Sequence, residues 1–288
     1  MRKLLIVFIT VNIIVTSFIL FVNRQTIPTI TYFPLHELVT FSDAKTELKA
    51  ISIDQLKEFI LDWTIFSQTK SPTYLRQDIS LLYENGFLLG IINKWQTDTN
   101  KLKVKRQLER LSNSFYQAIS FHYGEIHEHD QTIKSTQKMT YDQLYVINCQ
   151  TCHKLLSFQQ ALDQNEKLAK QNIHQQVLKQ SNQFWQQLIE YFEIDKQNYY
   201  TFPLTKLAIY EHQPLPEMTQ QETNIVLGQL WEGLYKNYVL PLSQTKISNT
   251  KNYIPLILID KQKDHLMVLF ELDGKPIQLI QKLPKSNL

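Results

Sequence analysis

An uninterrupted apolar run opens the chain. Residues Leu4 to Val22 are nineteen positions without a charged side chain, and a helix with about 1.5 Å of rise per residue would nearly carry them across a hydrocarbon core of about 30 Å. Two basic residues precede the run, whereas Arg24 is the only Lys or Arg between it and Lys45. This pattern predicts an uncleaved transmembrane anchor over residues 1–24, with a cytoplasmic N-terminus and the bulk of the chain outside the cell membrane.

Four later segments are predicted to be helical. Capping boxes begin the segments 52–63 and 219–238, where apolar side chains recur every three or four positions. A polar helix is predicted over residues 97–113. The longest pattern, residues 164–194, has a glutamine-rich opposite face, so we expect this helix to lie across a sheet.

Alternating apolar residues predict strands between these helices. The two strands of a hairpin, residues 79–83 and 87–92, are joined through Asn85 and Gly86, a pair that suits a type I′ turn. Further strands are predicted over residues 118–123 and 144–147, and over a C-terminal three-stranded meander at 254–259, 266–272 and 276–283. The mixture predicts an α+β fold in which antiparallel hairpins and amphipathic helices pack together behind the anchor.

Composition indicates a globular domain. The hydrophobic fraction is 43%, and 30 basic against 27 acidic residues give a formal charge of +3. Residues 25–288 are long enough for one extracytoplasmic domain or for two subdomains divided near 150–163. The basic cluster of Lys101, Lys103, Lys105 and Arg106 is too small to indicate a nucleic-acid partner; it suits either a solvated face or contact with anionic lipid or cell-wall polymer.

Both cysteines lie in the segment Cys149-Gln-Thr-Cys152-His153. CxxCH is the spacing at which two thiols attach a haem and the histidine reaches the iron, so this segment resembles the haem-attachment motif of c-type cytochromes. That resemblance implies a covalent haem c held by Cys149 and Cys152, with His153 as an axial ligand. The alternatives are no cofactor and a surface turn whose thiols are free or form a local disulfide.

The same cysteines also support a second hypothesis. A strand, a CxxC motif and a helix in that order resemble thioredoxin-like oxidoreductases, and Tyr253-Ile254-Pro255 before a strand is similar to the segment whose proline faces the dithiol in that family. The resemblance implies disulfide exchange by Cys149 and Cys152, because a thiolate at a helix N-terminus has a lowered pKa and exchanges disulfides readily.

Histidines cluster in a third segment. His127 and His129 are two positions apart, so on a strand they would point to one face together with Glu125. Imidazole and carboxylate groups are ligands for transition metals, which makes these three residues a candidate metal site. The alternative is a solvated strand end and turn.

No complete catalytic constellation accompanies these signals. The sequence contains no phosphate-binding glycine loop, GxSxG or HExxH motif. Aromatic residues between Phe184 and Tyr200 suit core packing better than a binding groove. We therefore expect a membrane-anchored, non-catalytic protein that binds or assists an envelope protein or cell-wall component, with redox chemistry and metal binding as the alternatives.

Overall fold

The described part of the chain is mainly antiparallel β-structure. A computed structural model describes residues 30–52, 58–111, 113–149, 154–244 and 252–284. Of these residues, 53% lie in strands and 27% in helices, and the larger sheet curls into a nearly closed barrel. The prediction of an α+β fold is therefore wrong, because two segments predicted to be helical are long strands.

Six strands form the barrel sheet, in the order β1, β2, β4, β5 and β6, with β3 also paired to β2. The central strand β2 is 27 residues long. All pairs are antiparallel. The strands are β1 (Phe41–Ser52), β2 (Glu58–Glu84), β3 (Phe87–Leu111), β4 (Ser114–His127), β5 (Ile133–Cys149) and β6 (Lys154–Phe158).

Because β2 is long, its two halves pair with different strands of the barrel. Residues 59–69 pair with β1, and residues 75–84 pair with β4 on the same edge. β3 follows both halves, with a break in register between Gln68 and Thr73 where the hairpin bends. The bend brings β1 against β5, where Asp142 Oδ2 accepts a hydrogen bond from the N–H of Leu48 at 2.7 Å. We call this contact between β1 and β5 the seam; no backbone ladder joins the two strands within the described ranges.

The predicted helices over 52–63 and 97–113 are wrong wherever the structure describes them. Phe59, Leu61 and Trp63 are fully buried at alternate positions of β2, and Leu102 is buried between two exposed lysines of β3. The barrel interior therefore selects a period of two over the helical spacing that the same apolar residues also allow. Residues 53–57 lie outside the described part.

A second sheet has the order β10, β9, β8, β7. It packs with the helices against the outer side of β2 and β4, where Leu81, Phe121 and Trp231 belong to one large core. The elements are α1 (Gln164–Tyr191), β7 (Tyr199–Pro203), α2 (Gln220–Leu234), α3 (Leu240–Gln244), β8 (Leu256–Asp260), β9 (His265–Leu272) and β10 (Lys275–Lys282), with short helical turns at Lys196–Asn198, Leu204–Glu211 and Tyr235–Val239.

Several local predictions are confirmed. The helices predicted over 164–194 and 219–238 match α1 and α2, and the capping box of Thr219 with Glu222 is formed. The C-terminal meander is β8 to β10. At the β2–β3 turn Asn85 and Gly86 have φ values of 50° and 87°. The φ of Gly86 favours glycine, and a Cβ there would also lie 3.0 Å from Ser181 Oγ of α1, a tight contact.

The predicted anchor, residues 1–24, lies outside the described residues. Among the residues that are described, no helix is long and apolar enough to cross a membrane. The expectation of a transmembrane helix joined to an α+β domain is therefore corrected for this part of the chain to a β-rich architecture. The division into subdomains near 150–163 stays a prediction.

Candidate functional site

A polar cluster fills one end of the barrel interior. Arg76 and Asp78 of β2 and His122 of β4 have no exposed surface. His122 Nδ1 lies 3.2 Å from Asp78 Oδ2, and Arg76 Nε lies 3.9 Å from Asp78 Oδ1. Ser67 Oγ donates a hydrogen bond of 2.5 Å to Asp78 Oδ2. The buried carboxylate is thus held between two basic side chains and a hydroxyl group.

The guanidinium of Arg76 donates hydrogen bonds to two hydroxyl groups and lies under an aromatic ring. Its Nη1 donates to Thr69 Oγ1 at 3.0 Å, and its Nη2 donates to Ser67 Oγ at 2.9 Å. The ring of Phe41 lies over it, with 4.3 Å between the ring centroid and Arg76 Cζ. Burial lowers the pKa of Arg76 to about 10, although the charge of Asp78 opposes the shift. The guanidinium therefore stays charged at neutral pH.

A chain of hydroxyl groups adjoins this cluster, and its direction follows from counting protons. Ser80 Oγ donates to the carbonyl of Ile119 at 3.3 Å and accepts from Trp63 Nε1 at 3.2 Å. Each hydroxyl has one proton to donate. Ser120 must therefore donate to Ser80 across 2.7 Å, and Thr46 must donate to Ser120 across 2.6 Å.

The same count fixes the role of His122. Thr140 Oγ1 lies 2.6 Å from Thr46 Oγ1, whose proton is already committed, so Thr140 is the donor in that contact. His122 Nε2, at 2.8 Å from Thr140 Oγ1, must then donate to it. Asp78, His122 and Thr140 have the carboxylate, imidazole and hydroxyl order of a catalytic triad. A general base must instead accept the proton of its nucleophile, so the arrangement is that of a cross-strand structural network.

A groove of about 450 Å³ lies beside the seam. Its basic residues are Lys45 of β1, Lys138 of β5 and His212, and no acidic side chain lines it among the described residues. The remaining lining comes from small, hydroxyl-bearing and apolar side chains. We call this feature the seam groove; its described lining residues are Ala44, Lys45, Thr46, Lys138, Met139, Thr140, Tyr141, Ala208, Ile209 and His212.

Glu211 lies next to the groove but does not line it. Its Oε2 accepts the N–H of Met139 at 2.9 Å. Burial raises the pKa of Glu211, while that hydrogen bond and the charge of Lys138 act in the opposite direction. The Glu211 carboxylate thus binds a backbone N–H of β5. Lys138 forms no ion pair within the described residues.

The outer face of β1, β2 and β3 carries a second group of lysines. Lys45, Phe66 and Lys103 are register partners across the three strands. The Nζ atoms of Lys45 and Lys101 lie 5.9 and 5.2 Å from the centroid of the half-buried Phe66 ring. We call these four residues the lysine face. Lys45 belongs to both the lysine face and the seam groove.

Two carboxylates on the same sheet face are already neutralised by other lysines. Lys49 binds Glu47 at 2.9 Å, and Lys105 binds Asp62 at 2.8 Å. The hydrogen bond from Lys49 lowers the pKa of Glu47. Burial acts to raise the pKa of Asp62, but hydrogen bonds from Lys105 and Gln107 outweigh it and the pKa falls. The three lysines of the lysine face form no ion pair among the described residues, although the charges of Lys45 and Lys103 also act to lower the pKa of Glu47.

The opposite end of the barrel holds a different cluster. Glu84 Oε1 accepts hydrogen bonds from Tyr116 at 2.6 Å and Ser114 at 3.0 Å, while Oε2 accepts from Arg110. Burial raises the pKa of Tyr116, and the neighbouring charge of Glu84 adds to the shift. Every polar group of Glu84 is thereby used to join β2, β3 and β4, so we assign this cluster a structural role.

The predicted redox or haem segment connects β5 to β6. Cys149 is the last residue of β5 and pairs with Lys154 of β6, while residues 150–153, including Cys152 and His153, lie outside the described part. The next described element is therefore a strand, whereas the thioredoxin-like order requires a helix. The haem and disulfide-exchange assignments stay predictions.

The predicted metal residues are only partly brought together. His127 Nε2 lies 2.5 Å from Glu125 Oε1, and the His127 ring stacks on Tyr74 with 3.7 Å between centroids. His129 lies in the turn after β4, so the two histidines do not share a strand face. Within the described ranges, no group of three His, Cys, Asp or Glu side chains is arranged for a metal ion. The metal site stays a prediction.

The sequence analysis missed the buried cluster and found only part of the lysine face, because Lys101 and Lys103 belong to the predicted basic cluster whereas Lys45 and Phe66 do not. Arg76 and Asp78 lie two positions apart on β2, but Gln77 between them is also polar, so the alternation that would extend the predicted strand backwards is broken there. Lys101 and Lys103 flank the buried Leu102, which is a strand signal as much as a helical one. Nothing local connects β2 with His122, because their contact depends on the pairing of β2 with β4.

The aromatic residues near the end of α1, for which core packing was predicted, are only partly buried. Phe184 and Trp185 are buried, and Trp185 Nε1 donates to the carbonyl of Ile254 at 2.8 Å. Tyr191 is 65% exposed. Core packing is confirmed for the first two residues.

Comparison with known proteins adds little. No protein-family model matches the chain. No curated protein matches it. Among solved structures, the chain is similar to a glycosyl hydrolase family 2 member from Bacteroides cellulosilyticus, at 11% identity and a TM-score of 0.25, over 41% of this chain and 17% of that protein. A likeness at this level carries no argument about fold or function.

Proposed function

We propose that the chain is a non-catalytic binding protein whose partner is anionic. The observation that carries this proposal is the seam groove, which places Lys45, Lys138 and His212 around one concave space with no acidic side chain among its described lining residues. A concave surface lined by one sign of charge concentrates ligands of the opposite sign. The lysine face continues the same positive surface through Lys45.

The geometry of the buried cluster supports binding over catalysis. Asp78 and His122 have no exposed surface, and the proton count makes His122 a donor to Thr140. A hydrolytic role would need that imidazole to accept a proton from a hydroxyl in contact with substrate. The cluster instead ties β1, β2, β4 and β5 together beneath the groove.

The class of partner and the cellular location are those predicted from the sequence. An envelope protein or cell-wall component is a partner of the expected kind, and nucleic acid is not expected. The predicted location, with the bulk of the chain outside the cell membrane, rests on residues 1–24 and stays a prediction.

Binding of the full-length chain in neutral detergent to charged and neutral polymers tests the proposal. Immobilised phosphate- and carboxylate-bearing polymers should retain the chain at low ionic strength and release it as salt screens the lysines. Lys138→Gln should weaken retention by about two- to five-fold, which corresponds to the loss of one exposed ion pair. Lys179→Gln on α1 makes the same charge change elsewhere and should have no effect. Equal retention on neutral and anionic polymers would disprove the proposal.

A further inference from the structure

The anion-binding surface has two parts that meet at one residue. Lys45 faces outward beside Phe66, and it also lines the seam groove with Lys138. The surface therefore passes over the edge of β1, from an exposed sheet face into a concave space. The inference that follows rests on the proposed function and concerns the shape of the ligand.

The lysines are spread over three strands of the sheet. Lys45 and Lys103 lie two strands apart, at about 10 Å for a strand spacing of about 4.8 Å. Lys101 and Lys103 are two residues apart on β3, or about 7 Å. Charge-assisted hydrogen bonds require about 2.8 Å between heavy atoms. A ligand with several linked phosphates can therefore contact more of these lysines at once than a single phosphate can.

A planar anionic surface such as a lipid bilayer also matches the two parts of this binding surface poorly. The lysine face is open and could meet a bilayer, whereas Lys138 lines the seam groove beyond the edge of β1, so headgroups held in one plane would contact the two parts less readily than a flexible chain. A flexible chain with repeated charges can follow both parts. It can also lie across Phe66, whose half-buried ring offers an apolar contact between the flanking ammonium groups.

We infer that the ligand is a linear phosphate polymer that crosses β1 at Lys45, with one segment in the seam groove and the next on the lysine face. Phosphate is favoured over carboxylate because the surface offers lysines and no arginine. Lysine binds phosphate as a point charge, whereas paired recognition of carboxylates favours the arginine fork. No covalent change is involved.

Titration of the full-length chain in neutral detergent tests the length requirement. Orthophosphate, tripolyphosphate and long-chain polyphosphate are compared at equal total phosphate, with long-chain polyglutamate as the carboxylate control. Long-chain polyphosphate should bind at least about ten-fold more tightly than tripolyphosphate, because linked contacts raise the effective concentration. It should also bind more tightly than polyglutamate.

Variants in the two parts test whether one ligand spans them. Lys103→Gln and Lys138→Gln should each weaken polyphosphate binding by about two- to five-fold. The double variant should multiply these effects to about four- to twenty-five-fold. Lys179→Gln should leave binding unchanged.

Four results would overturn the inference while leaving the proposed function intact. The first three are equal affinities for tripolyphosphate and the long chain, equal affinities for polyglutamate and polyphosphate, and loss of binding in Lys138→Gln with no effect of Lys103→Gln. Binding to anionic-lipid vesicles that depends on Lys103 but not on Lys138 would likewise replace the polymer with a membrane surface. Failure of every anionic ligand would instead reject the proposed function itself.

Discussion

His122 Nδ1 lies 3.2 Å from Asp78 Oδ2 in a part of the barrel where neither side chain has exposed surface. The two residues come from adjacent strands, β4 and β2, and are register partners. Their contact holds a carboxylate between His122 and the guanidinium of Arg76. This arrangement makes the polar end of the barrel sensitive to the loss of any one charge, because an unpaired buried charge is costly.

The substitution Asp78→Asn tests the importance of the buried carboxylate. It keeps the side-chain size but leaves the Arg76 guanidinium without its counter-charge. We expect the free energy of unfolding to fall by about 3–5 kcal/mol, the usual effect of removing one partner of a buried ion pair. Urea denaturation of both proteins measures the difference.

Asp43→Asn provides the matched control on β1. Asp43 is exposed, so the same chemical change there should alter stability by less than about 0.5 kcal/mol. If Asp78→Asn were as mild as this control, the buried cluster would not hold the barrel together.

The direction of the hydrogen bonds predicts the effect of removing the Thr140 hydroxyl. In Thr140→Val the donor Nε2 of His122 loses its acceptor, so we expect a loss of about 1–3 kcal/mol in chemical denaturation. Thr140→Ser should restore most of the stability because it keeps the hydroxyl.

Thr64→Val is the corresponding change on the outer face of the sheet, at a partly exposed position. We expect an effect within about 0.5 kcal/mol there. Equal losses at positions 64 and 140 would show that threonine is needed for β-structure in general and not for the network.

Alanine substitutions at two glycines of α2 should change the stability in opposite directions. A Cβ on Gly228 would lie 2.6 Å from both Gln137 Oε1 and Tyr32 Cδ2, whereas a Cβ on Gly233 would meet no atom within 4 Å. Gly233→Ala should raise stability by about 0.5–1 kcal/mol because alanine is the better helix former. Gly228→Ala should lower it by about 1–3 kcal/mol because the site is overpacked.

Thermal unfolding of the two variants checks this prediction. The two substitutions are identical and lie in the same helix, so helix propensity cancels between them. A stabilising Gly228→Ala would mean that residue 32 and its neighbours do not pack on α2 in solution.

Glu211 predicts a pH-dependent effect. Burial raises the pKa of its carboxyl group above the ordinary value, so the ionised form is penalised in the folded state. This cost is absent at pH values below the unfolded pKa of about 4.3 and is fully present above the raised folded pKa. Stability due to this group therefore falls as pH rises through that interval.

Glu211→Gln should remove the penalty and keep an oxygen that accepts the N–H of Met139. We expect the variant to be more stable than the unsubstituted protein at pH 7 and to lose that advantage in acid. Denaturation at a series of pH values measures the difference. An advantage that grew on acidification would contradict the sign of the pKa shift.

Local sequence signals determined the elements whose causes are themselves local. The side chains of Thr219 and Glu222 close the cap of α2 within four residues, and the Asn85-Gly86 pair suits the positive φ angles of its turn. The long pattern of α1 is likewise set by repeated spacing along one helix. These features were correctly predicted because each contains its own stabilising contacts.

Tertiary structure decided the rest. The apolar residues around Trp63 fit either a helix or a strand, and only enclosure of alternate residues inside the barrel selects the strand. The cluster of Arg76, Asp78 and His122 and the meeting of Lys45 with Lys138 depend on strands that are distant in sequence. Sequence thus determined the local turns and helices, whereas the pairing of β2 with three partners determined the barrel and its candidate binding surface.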